Sequence, residues 1–302
     1  MKKKIYLYLS GGLGNQLFQY AAAKNLSIIN DAKLIIDTHS GFVTDFKDFR
    51  KFSLEKQKLQ SVSFKENIIT FWLYRIYKKI FKIKKIFHDF FFCKLINEMS
   101  INYYDENIKK FKFCKRLYLF GYFQSEKYFI ENKNTILNEL YPSASNKKIF
   151  VQMKEKIVTS NSVALGLRFF ETYSENELNK FGGITSLNFY EKALRKMFQN
   201  VENPTFFIFS TRLSNVEKFL SNFNKIKKYN FHTITEDNGF AEASDNLWLM
   251  SHCVNHIISN STLYWWAAYF SATRYKNQTI ISSENFANKD TCLDNWKLNF
   301  YN

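Results

Sequence analysis

The chain has little of what builds linkers, disulfide frameworks or membrane spans. Only 2 of its 302 residues are Pro and 9 are Gly, which argues against extended disorder and collagen-like repeats. No apolar run reaches the length of a transmembrane helix. The four cysteines form no C-x-x-C pair; they are Cys93, Cys114, Cys253 and Cys292. Their spacing fits neither a zinc site nor a disulfide framework, so we expect reduced, largely buried thiols in a cytoplasmic protein.

Acidic residues are also scarce, since 27 Asp and Glu stand against 43 Lys and Arg and leave a formal net charge of +16. Nucleic acid, an anionic membrane and an anionic substrate are the obvious partners of such a charge. No nucleic-acid-binding signature accompanies it, so we expect no nucleic acid partner. Basic and aromatic residues alternate in the segment 71–87, as in a helix that lies on an anionic membrane. A solvated basic face on a helix with a buried opposite side explains the segment equally well.

Several motifs for metals and common catalytic centres are missing. The sequence contains no D-x-D triplet, no group of His, Asp or Glu with metal-ligand spacing, and no G-x-S-x-G, P-loop or H-E-x-x-H motif. We therefore expect no metal cofactor. If a nucleotide diphosphate is bound, arginine and helix-start amides must meet its charge.

Strand-like and helix-like segments alternate along most of the chain. The first half opens with a strand at 5–9, a helix at 17–29 and a strand at 33–37, whereas residues 40–110 are predicted to be mainly helical. The second half alternates strands at 162–167, 205–210, 256–259 and 279–282 with helices at 187–198, 214–223, 244–252 and 263–270. This pattern predicts an α/β fold with two Rossmann-like domains, 1–145 and 146–302, that face a cleft.

The first candidate site is the glycine-rich turn at 11–16, which reads G-G-L-G-N-Q after the first strand. Its glycines do not fit G-x-G-x-x-G, because Gln16 and Leu17 stand where that fingerprint has other residues. The turn still lets the backbone approach a ligand closely and aims Asn15 from a helix start. A tight turn without a ligand explains it at least as well.

Two further candidates follow predicted strands of the second half. A Ser/Asn/Thr junction at 259–262 leaves helix-start N–H groups at the carboxyl edge of a sheet, where a phosphate fits, although an ordinary capped turn is the commoner explanation. Arg168 ends the strand at 162–167 and could clamp an anion, since a guanidinium matches phosphate in a forked geometry. Glu171 could orient Arg168 or act as a base. A structural Arg–Glu pair is the alternative.

Longer motifs across nearly the whole chain match those of a known protein family in the same order. Residues 11–21 (GGLGNQLFQYA), 121–129 (GYFQSEKYF) and 249–267 resemble, respectively, G-G-L-G-N-Q-M-F-Q-Y-A, G-Y-W-Q-S-E-K-Y-F and L-M-S-x-C-x-x-x-I-I-A-N-S-T-F-S-W-W-A. These are motifs of the bacterial α-1,2-fucosyltransferases, glycosyltransferase family 11. Several multi-residue matches in order are far more specific than any one of them.

The resemblance implies a GT-B fold and inverting transfer of fucose from GDP-fucose, without a metal, to the 2-hydroxyl of a galactoside. The acceptor would be an oligosaccharide or a lipid-linked surface-glycan precursor. Residues 1–145 would form the acceptor side and 146–302 the nucleotide-sugar side. Arg168 would neutralise the diphosphate, Asn15 would face the fucose and diphosphate, and Glu171 would act as the base. Further donor contacts are expected from Gly14, Gln16, Asn260, Ser261 and Thr262.

The presumed donor domain departs from the family pattern. The family's H-x-R-R-x-D is here G-L-R-F-F-E at 166–171, its S-D-D is S-T-R at 210–212, and an acidic position is Asn246. We still expect Ser210 and Asn246 to contact the donor. Three hypotheses remain open: a fucosyltransferase, an enzyme of the same fold with another nucleotide-sugar donor, and a non-catalytic glycan-binding relative. Retention of Asn15, Arg168 and the 260–262 junction argues against the last.

Overall fold

Alternating strands and helices form two units, Met1–Tyr141 and Pro142–Asn302. The computed structural model describes residues 2–43, 50–60, 62–65, 72, 87–90, 93–98, 102–113, 115–169, 173–180 and 182–298. The boundary predicted from the sequence, after residue 145, lies in the loop between the last helix of the first unit and the first helix of the second.

The N-terminal unit contains a six-stranded sheet. Its strands are β1 Lys3–Tyr8, β2 Ala32–Asp37, β3 Val62–Lys65, β4 Phe87–Phe90, β5 Cys93–Asn97 and β6 Arg116–Phe120, in the order β3-β2-β1-β6-β5-β4. Every neighbouring pair is parallel except β4 with β5. The helices are α1 Leu13–Ile29, α2 Asn107–Lys110 and α3 Lys133–Leu140. The predicted opening strand-helix-strand unit is confirmed. Helix α1 is buried along almost its whole length and carries Ala, Leu and Phe around its circumference.

The prediction of mainly helical structure at 40–110 is wrong for the described residues. The described residues of that stretch form β3, β4 and β5; of its α-helical residues, α2 has only four, and Trp72 is one more. Short apolar runs do not distinguish a strand from a buried helix, and pairing with β2 and β6 decides the outcome here. The sequence also predicts a helix over 124–140, but the helix begins only at Lys133, after two 3-10 turns.

The C-terminal unit has the predicted alternation. Its five parallel strands are β7 Ser162–Gly166, β8 Thr205–Phe209, β9 Phe231–Ile234, β10 Asn255–Ile258 and β11 Ile280–Ser282, in the order β11-β10-β7-β8-β9. The helices are α4 Lys148–Val158, α5 Glu175–Lys180, α6 Leu187–Asn200, α7 Leu213–Asn222, α8 Ala243–Met250 and α9 Thr262–Arg274. Strand β9 was not predicted, because its Phe-His-Thr-Ile sequence is not a continuous apolar run and it lies, mostly half-buried, at the edge of the sheet. Strands β7 and β10 are wholly buried, as expected of a parallel sheet covered on both faces.

Parallel pairing places the carboxyl ends of neighbouring strands at one edge of each sheet. In the N-terminal unit, β1 and β6 are neighbours, so the glycine-rich turn after β1 and the turn after β6 lie at the same edge. In the C-terminal unit, Gly166 of β7 pairs with Phe209 of β8 and with Ile258 of β10. The residues that follow these three strand ends therefore share one edge.

Candidate functional site

The glycine-rich turn is shorter than predicted, because α1 begins at Leu13 with Gly12 at its N-cap. Gly14, Asn15 and Gln16 therefore belong to the first turns of the helix. Gly11 has φ +76°, in the left-handed region that favours glycine. A β-carbon there would lie 2.9 Å from Nδ2 of Asn15. Glycine at position 11 thus leaves room for the Asn15 amide beside the loop backbone.

Gln16 serves as a clamp between the loop and a second segment. Its Nε2 donates to the carbonyls of Gly11 and Lys51, both at 2.8 Å, and its Oε1 accepts from the N–H of Ser53 at 2.9 Å. Both Gln16 and Gly14 are buried. These contacts give Gln16 a scaffolding role in the described structure, in addition to the donor contact that the resemblance implies.

Arg50 is a candidate that the sequence analysis missed. A β-carbon on Gly12 would lie 3.6 to 3.9 Å from atoms of the Arg50 guanidinium, so this group borders the glycine-rich turn. The clamp by Gln16 on Lys51 and Ser53 holds the neighbouring backbone there. Only the fold brings this arginine to the turn, and no local motif marks it in the sequence.

The second family-like motif supplies the contact to Asn15. Nε2 of Gln124 donates to Oδ1 of Asn15 at 2.9 Å. The turn that carries Gln124 is bound by the buried Glu98, whose carboxylate accepts the N–H groups of Tyr122 and Phe123, both at 3.0 Å. The predicted site residue Asn15 and Gln124, which the sequence marks only as part of a motif, are thereby brought together at one sheet edge.

Arg168 follows the end of β7 and is partly exposed. The N–H of Leu167 donates to the carbonyl of Phe209 at 2.8 Å, which continues the pairing with β8 up to the arginine. The Tyr264 hydroxyl donates to the carbonyl of Leu167, at 3.2 Å. The backbone on the amino side of Arg168 is thus fixed from two elements. Glu171, the predicted base, lies outside the described residues.

Tyr264 also explains one departure from the family pattern. A β-carbon on Gly166 would lie 2.5 Å from the Tyr264 ring, so the family's histidine has no room at this position. The same hydroxyl lies 3.3 Å from the Phe209 carbonyl, and Tyr190 donates to the Gly166 carbonyl at 3.2 Å. Burial raises the pKa of Tyr190, which keeps this hydroxyl protonated as a donor.

Asn260 holds loops together at the neighbouring strand end. Its Nδ2 donates to the carbonyls of Gly183 at 2.8 Å and Asn285 at 3.1 Å, and its Oδ1 accepts from the Thr185 hydroxyl at 3.2 Å. Both amide hydrogens are used in these bonds. The predicted contact of Asn260 with a phosphate therefore competes with internal bonds, and its described role is to shape the loop at 182–185.

Ser261 and Thr262 are placed as the sequence predicted, at the start of α9. Ser261 is the N-cap, with extended backbone and no side-chain capping bond, and no acidic residue lies in the first turn. Both residues are partly exposed. The positive end of this 13-residue helix lies at the carboxyl edge of the sheet, an arrangement that suits an anion.

Ser210 and Asn246 differ in their surroundings. Ser210 directly follows β8, is buried, and its hydroxyl has no hydrogen-bond partner among the described residues. Asn246 lies on α8, where its Nδ2 donates to the carbonyl of Phe240 at 2.7 Å. The Oδ1 of Asn246 likewise has no partner among the described residues, so what distinguishes Ser210 is its place directly after a strand end.

Arg212, at a position that is acidic in the family, is paired within the unit. Its guanidinium lies 3.3 Å from Asp237, which also accepts the N–H of Leu213 at 2.6 Å. That backbone bond, with help from Arg212, lowers the pKa of Asp237. An acid from another loop therefore caps α7.

Four further features concern the thiols, metal ions, membrane-spanning helices and the basic segment. Cys93, Cys253 and Cys292 are free thiols. Within the described ranges, no group of three His, Cys, Asp or Glu side chains could hold a metal ion. No helix in the part of the chain that the structure describes is long and apolar enough to cross a membrane. Most of the basic segment 71–87 lies outside the described residues; its Trp72 is exposed, and β4 begins at Phe87.

Comparison with solved structures shows the fold. The crystal structure of the fucosyltransferase NodZ from Bradyrhizobium matches with a TM-score of 0.50 at 11% identity, over 88% of this chain and 92% of that one. NodZ alpha-1,6-fucosyltransferase co-crystallised with GDP matches with a TM-score of 0.50 at 12% identity, over 89% of this chain and 92% of that one. With two α/β units, each built on a mainly parallel sheet, the protein has the predicted GT-B fold class.

Comparison of sequences shows the family. The model of glycosyl transferase family 11 matches residues 4–299, and the chain belongs to this family. An Escherichia coli alpha-1,2-colitosyltransferase is 26% identical over 280 residues, which cover 86% of this chain and 85% of the relative. The O-antigen biosynthesis glycosyltransferase WbnK of Escherichia coli is 26% identical over 294 residues, 92% of this chain and 93% of the relative. The protein is therefore a glycosyltransferase.

Proposed function

We propose that the protein transfers L-fucose from GDP-fucose, with inversion and without a metal ion, to the 2-hydroxyl of a galactoside in a surface-glycan precursor. One observation carries this proposal. Strands β7 and β10 are neighbours, and the N–H of Ser259 donates to the carbonyl of Gly166 at 3.3 Å. Arg168 and the start of α9 consequently follow adjacent strand ends. A guanidinium and helix-start amides at one edge are the groups that a departing diphosphate requires.

The proposed chemistry assigns each group one task. As the bond between fucose and GDP breaks, negative charge grows on the diphosphate. Arg168 and the N–H groups of the first turn of α9, which begins at Thr262, stabilise this charge. Ser210 contacts the donor through its hydroxyl. Asn15 contacts the sugar through its amide. The acceptor hydroxyl attacks the anomeric carbon while a base, proposed to be Glu171, takes its proton.

A second candidate keeps the reaction and changes the sugar. The relative named as an alpha-1,2-colitosyltransferase supports colitose as the alternative to fucose. The altered positions at Gly166 and Arg212 also support a changed donor pocket, because both differ from the family pattern at the proposed donor edge. WbnK, named for O-antigen biosynthesis, supports an oligosaccharide or lipid-linked glycan as the acceptor in either case.

The donor is tested first by binding. GDP, GDP-fucose, GDP-colitose and UDP are compared by thermal shift and calorimetry in EDTA, followed by transfer to lactose as a model galactoside. We expect GDP and GDP-fucose to stabilise the protein without metal. Preference for GDP-colitose would move the assignment to the second candidate, and dependence on added Mg²⁺ would contradict the metal-independent mechanism.

The role of Arg168 is tested by Arg168→Ala. We expect turnover to fall at least about a hundredfold, because a charged contact made at the developing diphosphate is lost. Arg195→Ala is the matched control, since this arginine is exposed on α6 and pairs only with Glu191 in the described structure. Unchanged turnover of Arg168→Ala would remove Arg168 from the mechanism.

Glu171 is tested separately through the pH profile. Glu171→Gln should lower turnover and abolish the acidic limb, since an amide cannot accept the acceptor's proton. An unchanged rate and profile would exclude Glu171 as the base.

We also propose a cytoplasmic location with contact at the inner face of the membrane through the segment 71–87. The net charge of +16 and the exposed Trp72 support this. Flotation with vesicles that contain phosphatidylglycerol should retain the protein, whereas pure phosphatidylcholine vesicles should not. Equal behaviour with both would contradict the contact.

A further inference from the structure

We propose that Gln124 is a positioning residue that fixes the orientation of the Asn15 amide in the reacting site. The proposal rests on the proposed contact of Asn15 with the sugar. Its structural basis is the bond from Nε2 of Gln124 to Oδ1 of Asn15 at 2.9 Å. Gln124 is itself buried, with 8% of its surface exposed, whereas Asn15 is half-buried. The buried amide of Gln124 therefore restrains the more accessible amide of Asn15.

The hydrogen bond from Gln124 determines whether Oδ1 or Nδ2 of Asn15 lies towards the glycine-rich turn. An amide side chain is planar, with an acceptor oxygen on one side and a two-donor nitrogen on the other. Because Oδ1 accepts from Gln124, Nδ2 lies on the opposite side, towards Gly11. The missing β-carbon of Gly11 would be 2.9 Å from this nitrogen and 3.4 Å from the Tyr122 ring. Gln124 and Gly11 together make Asn15 a donor at the glycine-rich turn.

The turn that carries Gln124 is built at a conformational cost. Phe123 has φ +51°, an uncommon value for a bulky side chain, yet it is completely buried. Its ring packs edge-on against Tyr128, with ring centroids 5.5 Å apart. Such strain persists only where the surrounding structure over-determines it, and it concentrates at functional sites.

Glu98 holds this strained backbone in place. Its buried Oε2 accepts the N–H groups of Tyr122 and Phe123, which are consecutive along the strained backbone. Gly121, with φ +146°, lets the carboxylate approach, since a β-carbon there would lie 2.7 Å from this oxygen. A buried carboxylate, a glycine and a strained phenylalanine thus direct one amide at Asn15.

The first test is spectroscopic and independent of the substrate. Selective ¹⁵N-asparagine labelling, with Asn15→Ala for assignment, gives the Nδ2 resonance of Asn15. In Gln124→Glu, an ionised carboxylate can only accept, so the Asn15 amide must flip, whereas the protonated acid can donate to Oδ1 again. The resonance should therefore titrate with the new carboxyl in this variant and stay constant in the parent and in Gln152→Glu, an exposed control on α4. An Asn15 resonance that does not titrate in Gln124→Glu would overturn the proposal.

The second test is kinetic. Gln124→Met keeps the shape and removes the donor, so kcat should fall by about tenfold, the equivalent of one hydrogen bond, with little change in KM for GDP-fucose. In Gln124→Glu, activity relative to the parent should rise as the pH is lowered and the carboxyl becomes protonated. Gln152→Met should match the parent.

A double variant separates positioning from packing. If Gln124 acts through Asn15, Gln124→Met should change kcat in the parent but not in an Asn15→Ala background. Equal losses in both backgrounds would show a merely structural role and overturn the proposal. No turnover of the parent with GDP-fucose would instead contradict the proposed donor, while the Asn15 resonance would still decide the positioning role.

Discussion

The two sheet edges preserve their family motifs in different ways. At the N-terminal edge the motif residues are retained, and most of them bind the turn itself: Gln16 joins it to Lys51 and Ser53, and Gln19 brackets Ser10. At the C-terminal edge Arg168 and the 260–262 junction are retained, but several of the family's other polar residues are replaced. There, the ring of Tyr264 occupies the space beside Gly166, and Arg212 is paired with Asp237.

This difference teaches that the altered positions are coupled. Gly166 departs from the family's histidine and Tyr264 from its serine, and the two departures are in contact. The ring of Tyr264 occupies the space that a side chain at position 166 would need. The C-terminal edge is therefore a rebuilt site, whereas the N-terminal edge is a scaffold centred on one amide, Asn15.

The largest expected effect tests the coupling directly. Gly166→His should lower the free energy of unfolding by about 3 kcal/mol or more, because its β-carbon overlaps the Tyr264 ring. In a Tyr264→Ser background the same change should cost much less. Urea unfolding of the four proteins gives the coupling free energy, and additive effects would show that the two positions are independent.

Gly121→Ala, at the N-terminal edge, should lower the free energy of unfolding by a comparable amount, about 3 kcal/mol. Its β-carbon would lie 2.6 Å from Cβ of Glu98, and its φ is +146°. Gly183→Ala is the matched change at the C-terminal edge. It also has positive φ, but nothing lies within 4 Å, so we expect only about 1 kcal/mol for the left-handed backbone. Equal losses in unfolding free energy would erase this contrast between the two edges.

A pH-dependent effect on stability is expected from a buried histidine of the C-terminal unit. Burial lowers the pKa of His256 on β10 to about 4, below the ordinary value of 6.5. The neutral imidazole, which donates to the Cys253 carbonyl at 3.1 Å, therefore stabilises the fold above pH 6.5. This contribution should be lost progressively between pH 6.5 and about 4, up to about 3 kcal/mol.

His256→Gln is the control for that titration. Unfolding free energies of the parent and the variant should converge as the pH falls through this window, because the other titrating groups are shared. A constant difference between the two proteins would show that His256 does not titrate on unfolding.

The smallest effect separates two neighbours at the rebuilt edge. Asn260→Ala should cost about 2 kcal/mol, because the carbonyls of Gly183 and Asn285 and the hydroxyl of Thr185 lose the hydrogen bonds that they make with the Asn260 amide. Ser261→Ala should cost less than about 0.5 kcal/mol, since Ser261 makes no side-chain capping bond. Thermal or urea unfolding measures both. If Ser261→Ala proved the more destabilising, the clamp assigned to Asn260 would be contradicted.

The sequence predicted what local patterns encode. Strands such as β7, β8 and β10 are apolar runs followed by polar residues, and their positions were found to within a residue or two. The stretch 40–110 was mispredicted because its short strands depend on partners elsewhere in the chain. Arg50, Glu98 and the contact of Tyr264 with Gly166 were beyond prediction for the same reason: each acts across a long separation in sequence. Glu171 stays a prediction.

The buried Glu98 has a consequence for protein engineering. The motif at 121–129 is contiguous in sequence, but its backbone is bound by the carboxylate of Glu98, which precedes β6. Moving the nine residues alone into another scaffold would transfer the sequence without the carboxylate that fixes its backbone conformation. A transferable module must include the acid, and a designer who screens only contiguous peptides would discard the segment as inactive.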